Sequence, residues 1–369
     1  MHSGSSSPER WQREQPMAPT IQSIATALPP HSMTAEESEA RLAPIFAAQG
    51  EDETLVAQIV RNSGIRKRYL SRPPGFYLAE TSLTARNGVF EEVAVEIGVE
   101  AARKALDQAG IRPDEVDLII DTSCTGVMIP ALDVHVANKL GFRDDVRRLP
   151  LTEAGCAAGA TSLAFGAEFL RARPGGVVLL LSVELPSLTF QLDDATRANV
   201  VSAAIFGDGA AAVVLADRPA PRPSFEHLAH KAVLFKDTQS IMGFDLRTEG
   251  FKIILSKRIP LLVRRELRGQ VETFLESQGV GLDEIDFFAL HPGGTKVLDN
   301  VRDVLGLDEA QVGAAREVLA DYGNLSSASV HFVAKALLER EEIQPGRFGL
   351  LIAMGPGFTV ELALLRGVA

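Results

Sequence analysis

Cysteine is nearly missing from this 369-residue chain, which carries only Cys124 and Cys156. Two thiols rule out a disulfide framework and fit a reducing cytosol, so a cytoplasmic location is expected. Cations are in deficit, with 37 Lys and Arg against 48 Asp and Glu, a net charge of −11. With no surplus positive charge to displace counterions, general nucleic-acid binding is not expected. A small anionic substrate would need only a local basic patch. No apolar run reaches the roughly 18 residues of a membrane span. The opening MHSGSSSPERWQREQPMAP lacks the apolar core of a signal peptide. Residues 1–19, rich in Ser, Pro, Glu and Arg, read as a disordered tail. No His or Cys cluster has metal-ligand spacing, so no metal is expected. The glycine turns GDG (207–209) and GPG (355–357) match neither the P-loop nor the dinucleotide fingerprint.

The residues that are present describe a mixed α/β protein. Hydrophobic content of 46% and charge of 23% are ordinary for a globular enzyme, and the length suits two domain-sized units. Thr20 to Ala27 alternates like a strand, residues 35–62 have helical spacing, and residues 91–109 form an amphipathic helix closed by Gly110. A buried strand follows over 116–121. The second half repeats the pattern, with an amphipathic helix over 266–278, Gly279, and then VGLDEIDFFALHP. Gly110, Asp114, Glu115 and Asp117 match Gly279, Asp283, Glu284 and Asp286 at a constant offset of 169 (279 − 110). A second echo pairs the glycine turn at 206–215 with that at 354–362. Two echoes in the same order indicate a duplicated α/β unit. The proline-rich DRPAPRPS (217–224) divides an N-terminal half, 20–217, from a C-terminal half, 224–369.

Three residues are candidates for chemistry. Cys156 opens a small-residue helix (AGCAAGATS), where unpaired backbone N–H groups and the positive dipole end favour a thiolate. The competing reading is an inert buried thiol. His291, in HPGG after the apolar FFAL, is equivalent by the offset to Thr122 and so sits at a strand end, where active-site loops gather. It reads equally as a turn histidine bonding its own backbone. His2, His31, His135, His227, His230 and His331 have tail, loop, polar-stretch or helix-packing readings. Asn324, in DYGNLSSAS before a helix over 330–338, reads as a cap or turn residue, or as an amide donor aimed into a site.

The Cys156 elbow, IFGDGAAA (205–212), HPGG (291–294), YGNLSSAS (322–329) and MGPGFTVE (354–361) occur in an order and spacing that resembles the chalcone synthase superfamily, the type III polyketide synthases, over about residues 21–365. The resemblance implies a thiolase-like duplicated αβαβα layered sandwich with buried central helices, assembled as a homodimer. It implies a catalytic set of Cys156, His291 and Asn324, acyl-CoA and malonyl-CoA as substrates, and no cofactor. Cys156 would hold an acyl thioester, with a His291 imidazolium lowering its thiol pKa, and His291 and Asn324 would stabilise the enolate left when malonyl-CoA loses CO2.

The same resemblance assigns cavity positions. Phe206 matches a gatekeeper phenylalanine, and the second gatekeeper position holds Ile253 where plant chalcone synthases carry Phe. Cys124 and Thr189 fall at cavity positions, Ile129 at the position that reaches into the partner's cavity, and Gly355 and Pro356 in the GPG turn. The basic residues that bind CoA phosphates in plant enzymes are not kept one for one; Arg61, Arg66 and Lys296 lie near their positions. The overall style is that of bacterial members, so the expected product is an alkylpyrone or alkylresorcinol made by two or three extensions. The alternative is a ketoacyl-carrier-protein synthase III-like enzyme that condenses once. A hydroxymethylglutaryl-CoA synthase would need a glutamate base whose place Glu153 does not match, and a non-catalytic scaffold would have no reason to keep all three candidates.

Overall fold

The computed structural model describes residues 18–79, 82–340 and 343–369. The tail expected over 1–19 therefore lies outside the described residues up to residue 17. The N-terminal half runs β1 (Thr20–Ala27), β2 (His31–Thr34), α1 (Ala35–Ala47), α2 (Glu53–Arg61), β3 (Lys67–Leu70), α3 (Phe76–Ala79), α4 (Leu83–Ala109), β4 (Leu118–Ser123), α5 (Leu132–Leu140), β5 (Arg147–Thr152), α6 (Ala158–Ala172), β6 (Val177–Glu184), α7 (Arg197–Ile205) and β7 (Gly209–Ala216). The C-terminal half runs β8 (Ser224–Leu234), β9 (Met242–Arg247), β10 (Gly250–Leu255), α8 (Ile259–Ser277), β11 (Ile285–Leu290), α9 (Thr295–Leu305), α10 (Glu309–Tyr322), α11 (Ser329–Glu339), β12 (Phe348–Gly355) and β13 (Thr359–Val368).

Nine strands pair in the order β11-β12-β13-β8-β1-β7-β6-β4-β5. Five come from the first half and four from the second, and the two sets join at β1 and β8, where Thr20 pairs Glu226. α6 packs on β4, β6 and β7 and also on β12, β13 and β8, while α11 touches β11, β1 and β7. Both helices are thus sandwiched between the sheets. α4 covers the far side of the first sheet and α8 the far side of the second. The result is five layers, α, β, α, β, α, as expected.

The sequence explains the layering. β6 (VVLLLSVE) and β7 (GAAAVVLA) are buried along their whole length, which suits strands covered on both faces. α6 has small residues on the faces that meet both sheets. Among them, Gly159 is required by close approach, because a Cβ there would overlap the Ser327 carbonyl oxygen.

The duplication is visible element by element. After α4 comes a 3-10 turn over 113–115 and then β4; after α8 comes a 3-10 turn over 282–284 and then β11. Gly110 and Gly279 follow these helices at φ of 64° and 71°.

Several local expectations change. The helical stretch 35–62 is two helices broken around Gly50, and α4 starts at Leu83, capped by the Ser82 hydroxyl. His31 starts β2, and His227 and His230 lie in β8, where His227 is fully buried. The polar composition of that stretch hid a strand that pairs with β13. Among the described residues, no helix is long and apolar enough to cross a membrane.

Gly159→Ala should lower stability by about 1–3 kcal/mol, as overpacking at a rigid contact does. Thermal unfolding of the variant against the parent measures this, and an unchanged midpoint would contradict the close approach.

Candidate active site

The three candidate residues enter from three elements. Cys156 lies in a 3-10 turn, Gly155–Ala157, that runs directly into α6. Asn324 follows α10 and precedes the 3-10 turn Ser326–Ala328 that opens α11. His291 follows β11, and its N–H donates to the Ile352 carbonyl of β12 at 2.8 Å.

The carboxyl end of β12 links these elements. A Cβ at Gly355 would come within 2.7 Å of the Ala157 backbone nitrogen, and one at Gly155 within 2.5 Å of Pro356 Cδ. The GPG turn therefore presses on the cysteine elbow while the same strand holds the His291 loop.

Asn324 is 3% exposed and its orientation is defined. Its backbone N–H donates to the Ile205 carbonyl at 2.8 Å, and its own carbonyl accepts from Gly207 N–H at 3.1 Å. Phe206 is thereby clamped beside it. Asn324 Oδ1 accepts from Ser326 N–H at 2.8 Å and from the Ser329 hydroxyl at 3.4 Å. With the oxygen occupied, the Nδ2 amide is left to donate, and the Asn324 side chain is among the groups that, after Ser326, favour the Cys156 thiolate. The same residue thus serves as a turn cap, through its oxygen, and as a donor.

Two residues that the sequence did not single out stand at the centre. The Ser326 hydroxyl lies 3.5 Å from both Cys156 Sγ and Cys124 Sγ. Behind it, the fully buried Glu184 accepts from the Ser327 hydroxyl at 2.6 Å, Thr125 Oγ1 at 2.9 Å and Cys124 N–H at 3.1 Å. A carboxylate closing an otherwise apolar strand, VVLLLSVE, was the available signal.

Burial dominates the electrostatics. Cys156 keeps partial access, yet close packing pushes its thiol up to about 12; the Ser326 hydrogen bond opposes that rise and the Glu184 charge adds to it. Burial pushes His291 down to about 4, and its Nδ1 has no partner. Cys124 is also raised, by burial and then Glu184, and burial raises Glu184 itself. Burial therefore works against the lowering of the thiol that the sequence led one to expect from an imidazolium and a helix dipole. Each group alone is pushed toward its neutral form, because a helix-end dipole is weaker than the desolvation of a closely packed charge.

The remaining candidates are dispersed around this centre. Phe206 is half-buried, and its carbonyl accepts from Arg68 Nη1 at 3.0 Å. It walls an apolar cavity of about 60 Å³ with Met33, Leu42, Leu70 and Tyr77. Thr189 ends the 3-10 turn Pro186–Thr189 and donates to the Pro186 carbonyl at 2.8 Å. Ile253 sits half-buried on β10 opposite Phe244, in a hairpin packed on α7 and on that turn. Ile129 is 93% exposed. Arg61 is paired with Glu39 at 2.8 Å, and Arg66 holds Asp321 through two nitrogens at 2.9 and 2.6 Å. Lys296 is exposed. No group of three or more potential metal ligands occurs among the described residues.

Two family descriptions match the chain: "Chalcone and stilbene synthases, N-terminal domain" over residues 7–219 and the corresponding C-terminal domain over 227–369. A 1,3,6,8-tetrahydroxynaphthalene synthase of Streptomyces peucetius subsp. caesius is 37% identical, covering 94% of this chain and 93% of that protein. A phloroglucinol synthase of Pseudomonas fluorescens is 31% identical, covering 91% and 95%. In solved structures, the 1,3,6,8-tetrahydroxynaphthalene synthase of Streptomyces coelicolor superposes with a TM-score of 0.91 at 28% identity, covering 95% and 99%.

Ser326→Ala removes a hydrogen bond that favours the thiolate, so the pH profile of Cys156 alkylation by iodoacetamide should move to higher pH. Peptide mass spectrometry separates Cys156 from Cys124. A profile that stays in place would show that the hydroxyl does not act on the thiol.

Proposed function

Since the chain belongs to the chalcone and stilbene synthase family, the type III polyketide synthases, we propose that Cys156, His291 and Asn324 carry its iterative condensation of malonyl-CoA. The observation that supports these roles most is the fixed amide of Asn324, whose oxygen is tied to Ser326 and Ser329 so that its nitrogen is left to donate.

In the loading step, the Cys156 thiol passes its proton to His291 as the sulfur attacks an acyl-CoA carbonyl. Coenzyme A leaves as the thiol, and an acyl-cysteine thioester remains. The resting shifts suit a paired transfer. A lone thiolate or lone imidazolium is penalised by burial, whereas the two charges formed together offset one another. Malonyl-CoA then loses CO2, and its electron pair becomes an enolate with charge on oxygen. Asn324 Nδ2 and the His291 imidazole donate to that oxygen in a site too dry for water to compete. The enolate carbon attacks the Cys156 thioester, expels the thiolate and yields a β-ketoacyl-CoA lengthened by two carbons. Return of that chain to Cys156 allows another round. This sequence calls for no metal or redox cofactor.

Phe206, Ile253, Cys124, Thr189, Gly355 and Pro356 are read as the walls that shape the growing chain. Phe206 is tied to Asn324 through backbone hydrogen bonds, and Cys124 shares the Ser326 hydroxyl with Cys156. A homodimer is part of the reading. β5 is an edge strand with outward-facing residues exposed, and Ile129 and Val127 are exposed apolar side chains, a combination suited to cover by a second copy. A cytoplasmic setting is part of it too, in keeping with two free cysteines.

For the product, the bacterial style of the sequence favours an acyl starter and an alkylpyrone or alkylresorcinol. A second reading, a polyhydroxylated arene, is favoured by relatives whose names are tetrahydroxynaphthalene synthase and phloroglucinol synthase. Product formed from malonyl-CoA with no added starter would select the second.

Cys156→Ala should abolish acyl loading, read by intact-protein mass, while the fold persists by circular dichroism. His291→Gln should cut CO2 release from malonyl-CoA by two or more orders of magnitude, the scale of removing one oxyanion donor. Undiminished products from the first variant, or an unchanged CO2 rate from the second, would overturn the assignment.

A further inference from the structure

The glycine turn at 207–209 matches no phosphate-binding pattern, yet it holds a wholly buried carboxylate, Asp208. None of the condensation steps engages it. Asn324, however, depends on the residues just ahead of that carboxylate. Its N–H donates to the Ile205 carbonyl at 2.8 Å and its carbonyl accepts from Gly207 N–H at 3.1 Å, so segment 205–207 carries its backbone. The segment has no slack at Gly207, where a Cβ would overlap the Tyr322 carbonyl oxygen. On one side it is held by α7, which ends at Ile205, and on the other by Asp208.

Asp208 is tied to two further segments. Its N–H donates to the Tyr69 carbonyl at 3.0 Å. Its Oδ2 accepts from Ser71 N–H at 2.7 Å and from the hydroxyls of Ser71 and Ser187 at 2.5 Å each. Its Oδ1 accepts from Ser187 N–H at 2.8 Å. These donors fill the acceptor positions of an ionised carboxylate. Burial pushes Asp208 up to about 6, and the bonds from Ser187 and Ser71 oppose that rise. The ionisable side chains that face it are Arg68 and Tyr77.

The direction of the remaining bonds follows. Both serine hydroxyls spend their proton on Asp208, so Ser187 Oγ is left only to accept. Tyr77, whose hydroxyl lies 2.7 Å from Ser187 Oγ, is therefore the donor, and its oxygen accepts from Arg72 N–H at 3.1 Å. Ser71, Tyr77 and Ser187 are all buried. A line of hydrogen bonds thus runs from α3 through Ser187 to Asp208, and by way of Gly207 to the Asn324 backbone. A buried network of this kind rigidifies its surroundings when each polar group has a partner.

We infer that Ser71, Tyr77 and Ser187 are positioning residues for the condensation, holding Asn324 through Asp208 and Gly207 where its amide can donate. This rests on the role proposed above for Asn324 and extends it to three side chains that act through it and touch no reacting atom. Ser187 is the arm to probe, because it borders the cavity beside Phe206 and has room for a methyl group.

The test compares Ser187→Ala, Ser187→Thr, Tyr77→Phe, Asn324→Ala and the double variant Ser187→Ala, Asn324→Ala, each checked by circular dichroism. Ser187→Ala should lower kcat for CO2 release from malonyl-CoA about tenfold, the scale of one hydrogen bond to a charged group, with KM held. It should also slow alkylation of Cys156 by iodoacetamide at fixed pH, since the Asn324 side chain favours that thiolate. Ser187→Thr, which keeps the hydroxyl, should restore both. Tyr77→Phe should show the same split more weakly, and carries the test if Ser187→Ala does not fold. In the Asn324→Ala background, Ser187→Ala should cost little more in either measurement, as coupled residues do. Equal cost with and without Asn324, or a rise in KM with kcat unchanged, overturns the inference. Alkylation coupled through Asn324 in a protein whose CO2 release ignores Asn324→Ala would leave this clamp standing and sink the proposed role of Asn324 instead.

Discussion

The site depends on how closely α6 is allowed to approach the turn that opens α11. At Gly159 no side chain intervenes, and the helix meets the Ser327 carbonyl directly. That contact sets the Cys156 turn against Ser326 and carries Asn324, two residues earlier, to the thiol. On the other flank, Gly355 lies against the Ala157 backbone and Pro356 against Gly155, so the elbow is wedged between two turns of the C-terminal half. The nucleophile, with Cys124 and Glu184, belongs to one half of the duplication, while Ser326, Asn324 and the GPG turn come from the other. The junction between halves is therefore not a linker to the site; it is the site.

Burial sets the chemistry that this wedge permits. Cys156 rests near a pKa of about 12 and His291 near about 4, both shifted first by desolvation. A site that penalises single charges favours a reaction in which charges form in pairs or next to fixed donors. Asn324 Nδ2 is such a donor, held by the two hydrogen bonds on its oxygen. The buried Glu184 works in the opposite sense, since its charge raises both thiols. Its own partners, Ser327, Thr125 and Cys124, tie the cavity wall to the turn beside Cys156.

Much of this was legible in the chain. The 169-residue offset pointed to a repeated turn and buried strand, which the fold shows as equivalent 3-10 turns leading into β4 and β11. Cys156, His291 and Asn324 could be singled out because each sits where an apolar or helical run is interrupted by small residues. What could not be read were quantities set across the fold. Ser326 and Glu184 became central only when β6 met the α11 turn. Arg61 and Arg66 looked free until their carboxylates, Glu39 and Asp321, folded beside them. The thiol pKa followed the same rule: the helix end is visible in sequence, while the depth of its burial is not. His227 was hidden for a local reason, since a polar-rich strand pairs as well as an apolar one when one edge is covered.

The measurement closest to the central claim is mass spectrometry of the products made by purified protein from malonyl-CoA, alone and with a ladder of acyl-CoA starters. The account expects products that contain two or more malonyl-derived units, formed without any carrier protein and absent from Cys156→Ala. A single β-ketoacyl product, or none until malonyl-loaded carrier protein is supplied, would contradict it.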